Sequence, residues 1–328
     1  MTNVTEAFET SQSERGLPFI VRPAGGPMTL ADALEHRAAL TRALHEHGVL
    51  VLRGFDAADV TAFEGFVSEF SGPPLGYTER SSPRSVVKDR VYTSTDYPAS
   101  RKIYLHSEQS YNLRFPGRLH FFAVDAADTG GATTVADARG VLRRLDPRLV
   151  ERFRQRGYMY VRNFYQDVGL TWQEGFQTDD RSVVDDYCAR NGIETDWTTG
   201  SELRTRQVRS TVAVHPETGD EVWFNHATFF HVSTLPGGAG EYLLEEYGEQ
   251  GLPNNTYYGD GSPIEASVLD ELRGAYEAEE VNEAWRVGDL MVVDNLLACH
   301  GRQAYTGTRK IVVSMALPRS WDEVTPRG

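Results

Sequence analysis

Short apolar or alternating runs, separated by turns rich in glycine, proline and aspartate, fill the chain from residue 103 onward. Runs of about four to eight residues are typical of strands, whereas helices need about ten or more. The separating sequences include TGGAT, PETGD, PGGAG, YYGDGSP and RVGD. The runs lie at 103–106, 118–125, 132–136, 158–165, 207–214, 221–225, 284–299 and 309–317. This punctuation predicts a fold built mainly of β-strands.

Helical patterns are fewer and gather mostly near the N-terminus. Thr29 is a candidate cap for the first of them and Gly48 a candidate stop, after which VLVLRGF (49–55) predicts a buried strand. Helices are predicted over 30–47, 58–70, 138–155 and 265–280. Many strands with a few flanking helices predict a double-stranded β-helix core, which is a jelly roll of the cupin-like kind.

The length of 328 residues leaves two domains open, but large β-sandwich enzymes also reach this size as one domain. Residues 1–15 are polar and predict a flexible leader. The remainder, 16–328, predicts a single jelly-roll domain. An acidic, irregular stretch at about 166–205 interrupts the strand pattern and predicts an inserted segment, of a kind that often contributes substrate contacts.

The formal net charge of −14 disfavours nucleic acid and anionic membranes as partners, because both repel an acidic surface. The first twenty residues lack the basic and apolar regions of a secretory signal, and no apolar run approaches the ~20 residues of a membrane span. Cys188 and Cys299 are too few and too far apart for a disulfide framework. We therefore expect a cytoplasmic protein.

His106 and Glu108, in YLHSEQSY, are the first candidate metal ligands. In an extended segment, side chains two residues apart point to the same face, so both could reach one ion. Two histidines and one carboxylate form the facial set that suits Fe(II) and leaves coordination positions open. The spacing alone is weak, and it needs a second histidine from elsewhere.

Other histidines compete for this role. His215 and Glu217 repeat the spacing in HPETGD, but the Pro and Gly there favour a hairpin turn. His45 and His47 lie near the end of a predicted helix, where cationic side chains complement the helix dipole. His120 lies in an apolar strand, where a packed core histidine is expected.

The segment 283–316, EAWRVGDLMVVDNLLACHGRQAYTGTRKIVVSMA, supplies the missing partner. A Gly-Asp turn leads into a strand that ends at His300, and a second strand begins near Arg309. Cys299 should face away from its neighbour and serve packing. Arg309 could hold a carboxylate with its planar guanidinium, or could be a surface cation at a turn.

Several of these pieces together resemble one known family. They are HGVLVLRGF, LHSEQSYN, FPGRLHFFA, DTGGATTVADAR, WFNHATFFH, NNTYYGDGSPIE and GDLMVVDNLLACHGRQAYTGTRK, in order from about residue 46 to 316. The chain resembles the taurine-dioxygenase-like (TauD/TfdA) superfamily of Fe(II)/2-oxoglutarate oxygenases. Within it, the Glu ligand matches the clavaminate-synthase-like branch, and WFNH and YYGDGSPIE resemble the SyrP-type amino-acid hydroxylases of natural-product pathways.

The resemblance implies His106, Glu108 and His300 as iron ligands. It also implies that Thr133 and Arg309 bind the distal carboxylate of 2-oxoglutarate. The spacing from the distal histidine to this arginine differs among branches of the family. The fallbacks for the arginine are therefore Lys310 and Arg302.

The chemistry that the resemblance implies uses Fe(II), with 2-oxoglutarate and O2 as co-substrates, and forms succinate and carbon dioxide. Related halogenases replace the carboxylate ligand by a small residue to admit chloride. Because Glu108 is present, hydroxylation of an unactivated C–H bond is expected, with desaturation and cyclisation left open.

The expected substrate is an amino acid or aminoacyl group, either free or presented on a carrier protein. Gln109, Asn225 and Arg302 are candidate substrate contacts, each with ordinary structural hydrogen bonding as the alternative. Phe224, Phe229 and Phe230 are expected in the core.

Three other functions stay open on the sequence. The same chemistry could act on another small carboxylate or sulfonate in a catabolic pathway. The same triad could hold zinc in a hydrolase, although no separate base is evident. A non-catalytic jelly-roll binder would tolerate the loss of a ligand, whereas the set here is complete.

Overall fold

The computed structural model describes residues 4–57, 59–76, 79, 86–88, 91–93, 97–197 and 202–325. Its strands, in chain order, are β1 (Phe8–Gln12), β2 (Phe19–Pro23), β3 (Val49–Leu52), β4 (Val86–Lys88), β5 (Val91–Thr93), β6 (Ile103–His106), β7 (Arg114–Asp125), β8 (Thr129–Gly130), β9 (Thr133–Asp137), β10 (Tyr158–Phe164), β11 (Ile193–Trp197), β12 (Leu203–Arg209), β13 (Val212–Val214), β14 (Glu221–Trp223), β15 (Asn254–Tyr258), β16 (Val281–Glu283), β17 (Leu290–Asp294), β18 (Ala298–Arg302), β19 (Tyr305–Thr306) and β20 (Lys310–Ser320). Its α-helices are α1 (Val4–Ala7), α2 (Leu30–Leu34), α3 (Arg37–His47), α4 (Val60–Ser71), α5 (Ala138–Arg144), α6 (Pro147–Arg156), α7 (Trp172–Phe176), α8 (Arg181–Arg190), α9 (Ala239–Tyr247), α10 (Ala266–Glu279) and α11 (Trp321–Val324).

Two sheets form the walls of the core. The larger one has the strand order β1-β2-β3-β17-β7-β20-β5-β4, and the smaller one has the order β16-β9-β18-β6. Alternate residues of the larger sheet, such as Phe121 and Val313, pack with Val135 and Ala298 of the smaller sheet. This is how a two-layer β fold buries one face of each sheet.

Helices cover the outer faces of both sheets. One cluster of buried apolar side chains packs α2, α3 and α4 against the larger sheet. Another packs α5, α6 and α10 against the outer face of the smaller sheet. The predicted mainly β fold with flanking helices is therefore confirmed in its layers.

Two of the predicted helices are each broken in two. The stretch 138–155 divides because Pro147 begins a new helix, and the residue before a proline is pushed out of the helical region. The stretch 30–47 divides after Leu34, so that both α2 and α3 place apolar residues on the same core. α4 and α10 follow the predicted spans closely.

The stretch 1–15, predicted as a flexible leader, contains α1 and β1 in the residues that the structure describes. β1 pairs along its whole length with β2, at the edge of the larger sheet. Val4 and Phe8 are buried, so burial of apolar side chains orders a stretch that looks polar in sequence. Residues 1–3 lie outside the described residues.

The stretch 166–205, predicted as an inserted segment, contributes most of a separate small hydrophobic cluster. Trp172, Phe176, Val184 and Cys188 pack with Ile193 against the outer part of β10. β11 and β12 extend β10 into a separate four-stranded sheet with β15. Residues 198–201 lie outside the described residues. The assignment of 16–328 to one domain stays a prediction.

No helix in the described part of the chain combines the length and the apolar character that crossing a membrane demands.

Candidate active site

His106 and His300 are directly opposite each other on neighbouring antiparallel strands. β6 ends at His106, and the register of β18 against β6 pairs it with His300. Their ring centroids are 4.3 Å apart. The pairing therefore brings together two segments that are almost two hundred residues apart in sequence.

Glu108 joins the two histidines from the turn that follows β6. Its Oε2 lies 4.0 Å from His106 Nε2 and 3.7 Å from His300 Nε2. Asn295 holds this turn, because its side-chain oxygen accepts from Glu108 N–H at 2.8 Å and its amide donates to the Glu108 carbonyl at 2.9 Å. The predicted triad is thus assembled in space.

The donor set fits a divalent iron ion. His106 Nδ1 donates to the Tyr104 carbonyl at 2.9 Å, because a carbonyl can only accept. In the neutral ring this leaves the lone pair on Nε2, the form in which histidine binds metals. The Nε2–Oε2 separations are too long for hydrogen bonds, yet they approach those of ligands about 2 Å from a shared ion. All three residues are buried, with two nitrogen donors and one oxygen donor.

In a second cluster of possible ligands, His45, His215 and Glu217, the donor atoms of His215 and Glu217 are engaged elsewhere. His215 Nδ1 accepts from the Thr218 N–H at 3.0 Å, so Nε2 bears the proton and donates to Asp294 at 3.2 Å. Glu217 pairs with Arg319. The predicted hairpin turn is confirmed, since it joins β13 to β14.

His120 is a core residue, as expected. It is fully buried, and Nε2 bonds to Ser71 Oγ at 3.0 Å. Burial, followed by the charge of Arg118, lowers the pKa of His120 to about 3. Cys299 likewise packs in the core behind the smaller sheet.

Thr133 and Arg309 meet at one short segment of chain, residues 131–133: Thr133 belongs to it and Arg309 binds its backbone. Thr133 opens β9, is almost fully buried, and accepts a hydrogen bond from Trp285 Nε1 at 3.1 Å. Arg309 Nε donates to the carbonyl of Gly131, two residues earlier, at 2.8 Å. Burial and the nearby Arg302 lower the pKa of Arg309 to about 10. A bound carboxylate would offset both effects, so the site suits an anion.

The two fallbacks for Arg309 have other surroundings. Arg302 donates to three backbone carbonyls, those of Tyr97, Pro98 and Arg101, at 2.7–3.1 Å. It therefore fastens β18 to the chain that leads into β6. Lys310 is exposed.

The geometry does not support Gln109 and Asn225 as substrate contacts. Gln109 has a left-handed backbone, and its amide reaches Met315 in the core between the sheets. The Asn225 side chain bonds to the backbone of Thr211 and of Ala227. The geometry does not support Arg302 as a substrate contact either, since its guanidinium donates to three backbone carbonyls. The structure brings none of these three into the cavity wall.

A cavity of about 230 Å³ opens beside the triad. Most of its wall is apolar, and it includes His106, Glu108, Tyr111, Phe229 and Phe230. Phe229 lies against His106, with 4.4 Å between ring centroids. Of the three phenylalanines expected in the core, Phe224 is buried there, Phe230 packs against that core and also borders this space, and Phe229 borders this space.

The profile of the taurine catabolism dioxygenase TauD, TfdA family matches residues 17–315. The chain belongs to this family. The dapdiamide synthesis protein DdaC of Enterobacter agglomerans is 39% identical over 275 residues, 84% of each chain. A clavaminate synthase-like protein of Arabidopsis thaliana is 26% identical over 282 residues, 83% of this chain and 82% of the relative.

Among solved structures, PvcB, an Fe, alpha-ketoglutarate dependent oxygenase from an isonitrile synthetic pathway, has a TM-score of 0.57 at 17% identity. The match covers 97% of this chain and 95% of PvcB. Family membership confirms the resemblance drawn from the motifs and the jelly-roll core. It also confirms the enzyme class, a dioxygenase that depends on iron and 2-oxoglutarate.

Sequence reasoning missed His226, the neighbour of Asn225 in the WFNH motif. His226 lines the cavity, and its ring centroid lies 5.6 Å from that of His106. Ser110 Oγ is 2.6 Å from its Nδ1. Burial, and then the proximity of His106, lowers the pKa of His226 well below its ordinary value, so the ring is neutral. The WFNH motif indicated a segment that borders the cavity, but not whether Asn225 or His226 faces it.

Proposed function

We propose that this enzyme hydroxylates an unactivated C–H bond of an amino acid or aminoacyl substrate in natural-product biosynthesis. Iron is held by His106, Glu108 and His300, and 2-oxoglutarate by Thr133 and Arg309. The observation that carries the proposal is the convergence of three buried donors of two residue types beside a cavity whose wall includes two of them, His106 and Glu108.

When bound, Fe(II) with 2-oxoglutarate supplies the activation of O2, with succinate and carbon dioxide as by-products. The protein positions and shields these groups. The Tyr104 carbonyl fixes the His106 ring, and Asn295 fixes the Glu108 turn. Three protein ligands leave positions open for the co-substrates.

The cavity walls support a small organic substrate. Phe229 and Phe230 exclude water from the space beside the ligands, which limits side reactions. His226 adds a neutral polar group near the metal side, able to meet an amide, hydroxyl or carboxylate of the substrate. The names of DdaC and PvcB connect those two proteins with small-molecule synthesis, and this supports a biosynthetic substrate here.

The test is a screen for succinate release by Fe(II)-loaded enzyme from 2-oxoglutarate and O2. One arm contains free amino acids, a second contains carrier-bound aminoacyl groups, and a third contains taurine and small aromatic carboxylates. We expect stimulation by an amino acid in one of the first two arms, and its loss in His106→Ala. Stimulation in the third arm alone would replace the substrate class. Hydrolysis with zinc and without O2 would replace the reaction.

A further inference from the structure

Trp285 is the hydrogen-bond partner of Thr133 in the described part of the chain. Its Nε1 donates to Thr133 Oγ1 at 3.1 Å, and Thr133 is only 3% exposed. A hydroxyl has one proton and two lone pairs, whereas an indole can only donate. The bond therefore occupies a lone pair of Thr133 and turns the hydroxyl proton away from Trp285.

The position of Trp285 is set by the sheet. β16 pairs with β9 so that Glu283 is directly opposite Thr133, and Trp285 follows two residues later. Its ring packs against the core between the two sheets. Glu283 ends β16, and the hydrogen bond shows that the indole, two residues later, lies against Thr133.

Arg53 fixes the segment that carries Trp285. Its guanidinium bonds to the Glu283 carboxylate at 2.7 Å, to the Ala284 carbonyl at 2.8 Å and to Asp289 at 2.6 Å. These contacts lie on both sides of Trp285 in sequence. The backbone on either side of Trp285 is thus held by an ion-pair network, which limits the directions that the indole can take.

We propose that Trp285 is a positioning residue for the co-substrate. By accepting the indole N–H, Thr133 presents its hydroxyl proton to the distal carboxylate of 2-oxoglutarate, next to the Arg309 cation. A hydroxyl that is already oriented gives up less rotational freedom on binding. The inference rests on the proposed function, because it needs 2-oxoglutarate to bind at Thr133 and Arg309.

The test is a double-mutant cycle on 2-oxoglutarate affinity, measured by calorimetry on Mn(II)-loaded protein without O2, where no turnover occurs. We expect Trp285→Phe to weaken binding about fivefold and Thr133→Val about tenfold. In the double variant the losses should not multiply, because the indole acts only through the hydroxyl. Thr133→Ser, which keeps the hydroxyl, should stay close to wild type.

Replacement of Trp285 by its benzothiophene isostere, which keeps the ring shape but has no N–H, covers the case in which the phenylalanine variant does not fold. The isostere should also weaken binding about fivefold. Unchanged affinity in the isostere, or losses that multiply, would overturn the role of Trp285. If wild-type protein does not bind 2-oxoglutarate at all, the proposed function fails as well.

Discussion

Arg309 is the residue on which co-substrate recognition depends most. It is half-buried against Gly131, and its pKa is depressed by burial and by Arg302, so it gains from any anion that reaches it. Lys310, its neighbour, is an exposed cation and offers a matched control.

Replacing Arg309 by Gln should raise the KM for 2-oxoglutarate at least about tenfold, because a charge-assisted contact with its carboxylate is lost. Lys310→Gln should leave it within about twofold, because an exposed charge is screened. The rate of succinate formation at several 2-oxoglutarate concentrations gives the KM of both variants. Equal effects of the two changes would show that the register of the arginine was misassigned.

For single residues, the sequence indicated which residue types form the site better than it indicated where each side chain points. The metal triad followed from spacing plus resemblance, and its cross-strand pairing agrees. Gln109 has a left-handed backbone (φ 54°), and its amide reaches Met315 in the core, a direction that sequence spacing does not show. Asn225 and His226 are adjacent, and no spacing rule tells that His226 is the one that lines the cavity.

Among the structural elements, α4 and β7 meet at a fully buried histidine, and burial lowers the pKa of its ring. Ser71 ends α4, and its hydroxyl meets His120 in the middle of β7. The native ring takes up a proton only near pH 3, whereas the unfolded ring does so near its ordinary pKa of 6.5.

The free energy of unfolding should therefore fall as the pH drops from about 6.5 toward 3. In that range the unfolded chain binds a proton that the native ring does not bind. This difference at His120 lowers the free energy of unfolding by about 2 kcal/mol near pH 5. Urea unfolding at several pH values measures it. His120→Gln should reduce the slope in this window, and an unchanged slope would contradict the account.

Arg53 joins β3 to the turn before β17, and its loss should destabilise the fold strongly. Arg53→Met leaves the carboxylate of Asp289, which is 1% exposed, without its cation, at a cost of about 3–5 kcal/mol. Arg286→Met, in the same turn but exposed, should cost less than about 0.5 kcal/mol. Chemical denaturation compares them. A small effect at Arg53 would mean that water reaches Asp289.

Element boundaries were predictable where local chemistry decides them and not where packing does. Thr29 and Gly48 mark helix ends in both sequence and structure. The order of β1 in the larger sheet was not predictable, because FETSQ is polar and gains its place through pairing with β2 and burial of Phe8.

In the whole molecule, the two sheets meet so that the two histidine ligands lie on the smaller sheet, facing the larger one. His300 lies 5.5 Å from Phe121 of the larger sheet, measured between ring centroids. The sequence predicted this architecture from strand number and turns. It could not predict the register that pairs His106 with His300, since register depends on the packing of both faces.

The central claim is that one ferrous ion is held by His106, Glu108 and His300. Anaerobic Fe(II) titration by calorimetry tests it directly, with His45→Ala, in the second histidine cluster, as the control. We predict one Fe(II) per chain in the wild type and in His45→Ala, and at least a hundredfold weaker binding in His300→Ala. Undiminished binding in His300→Ala, or its loss in His45→Ala, would contradict the account.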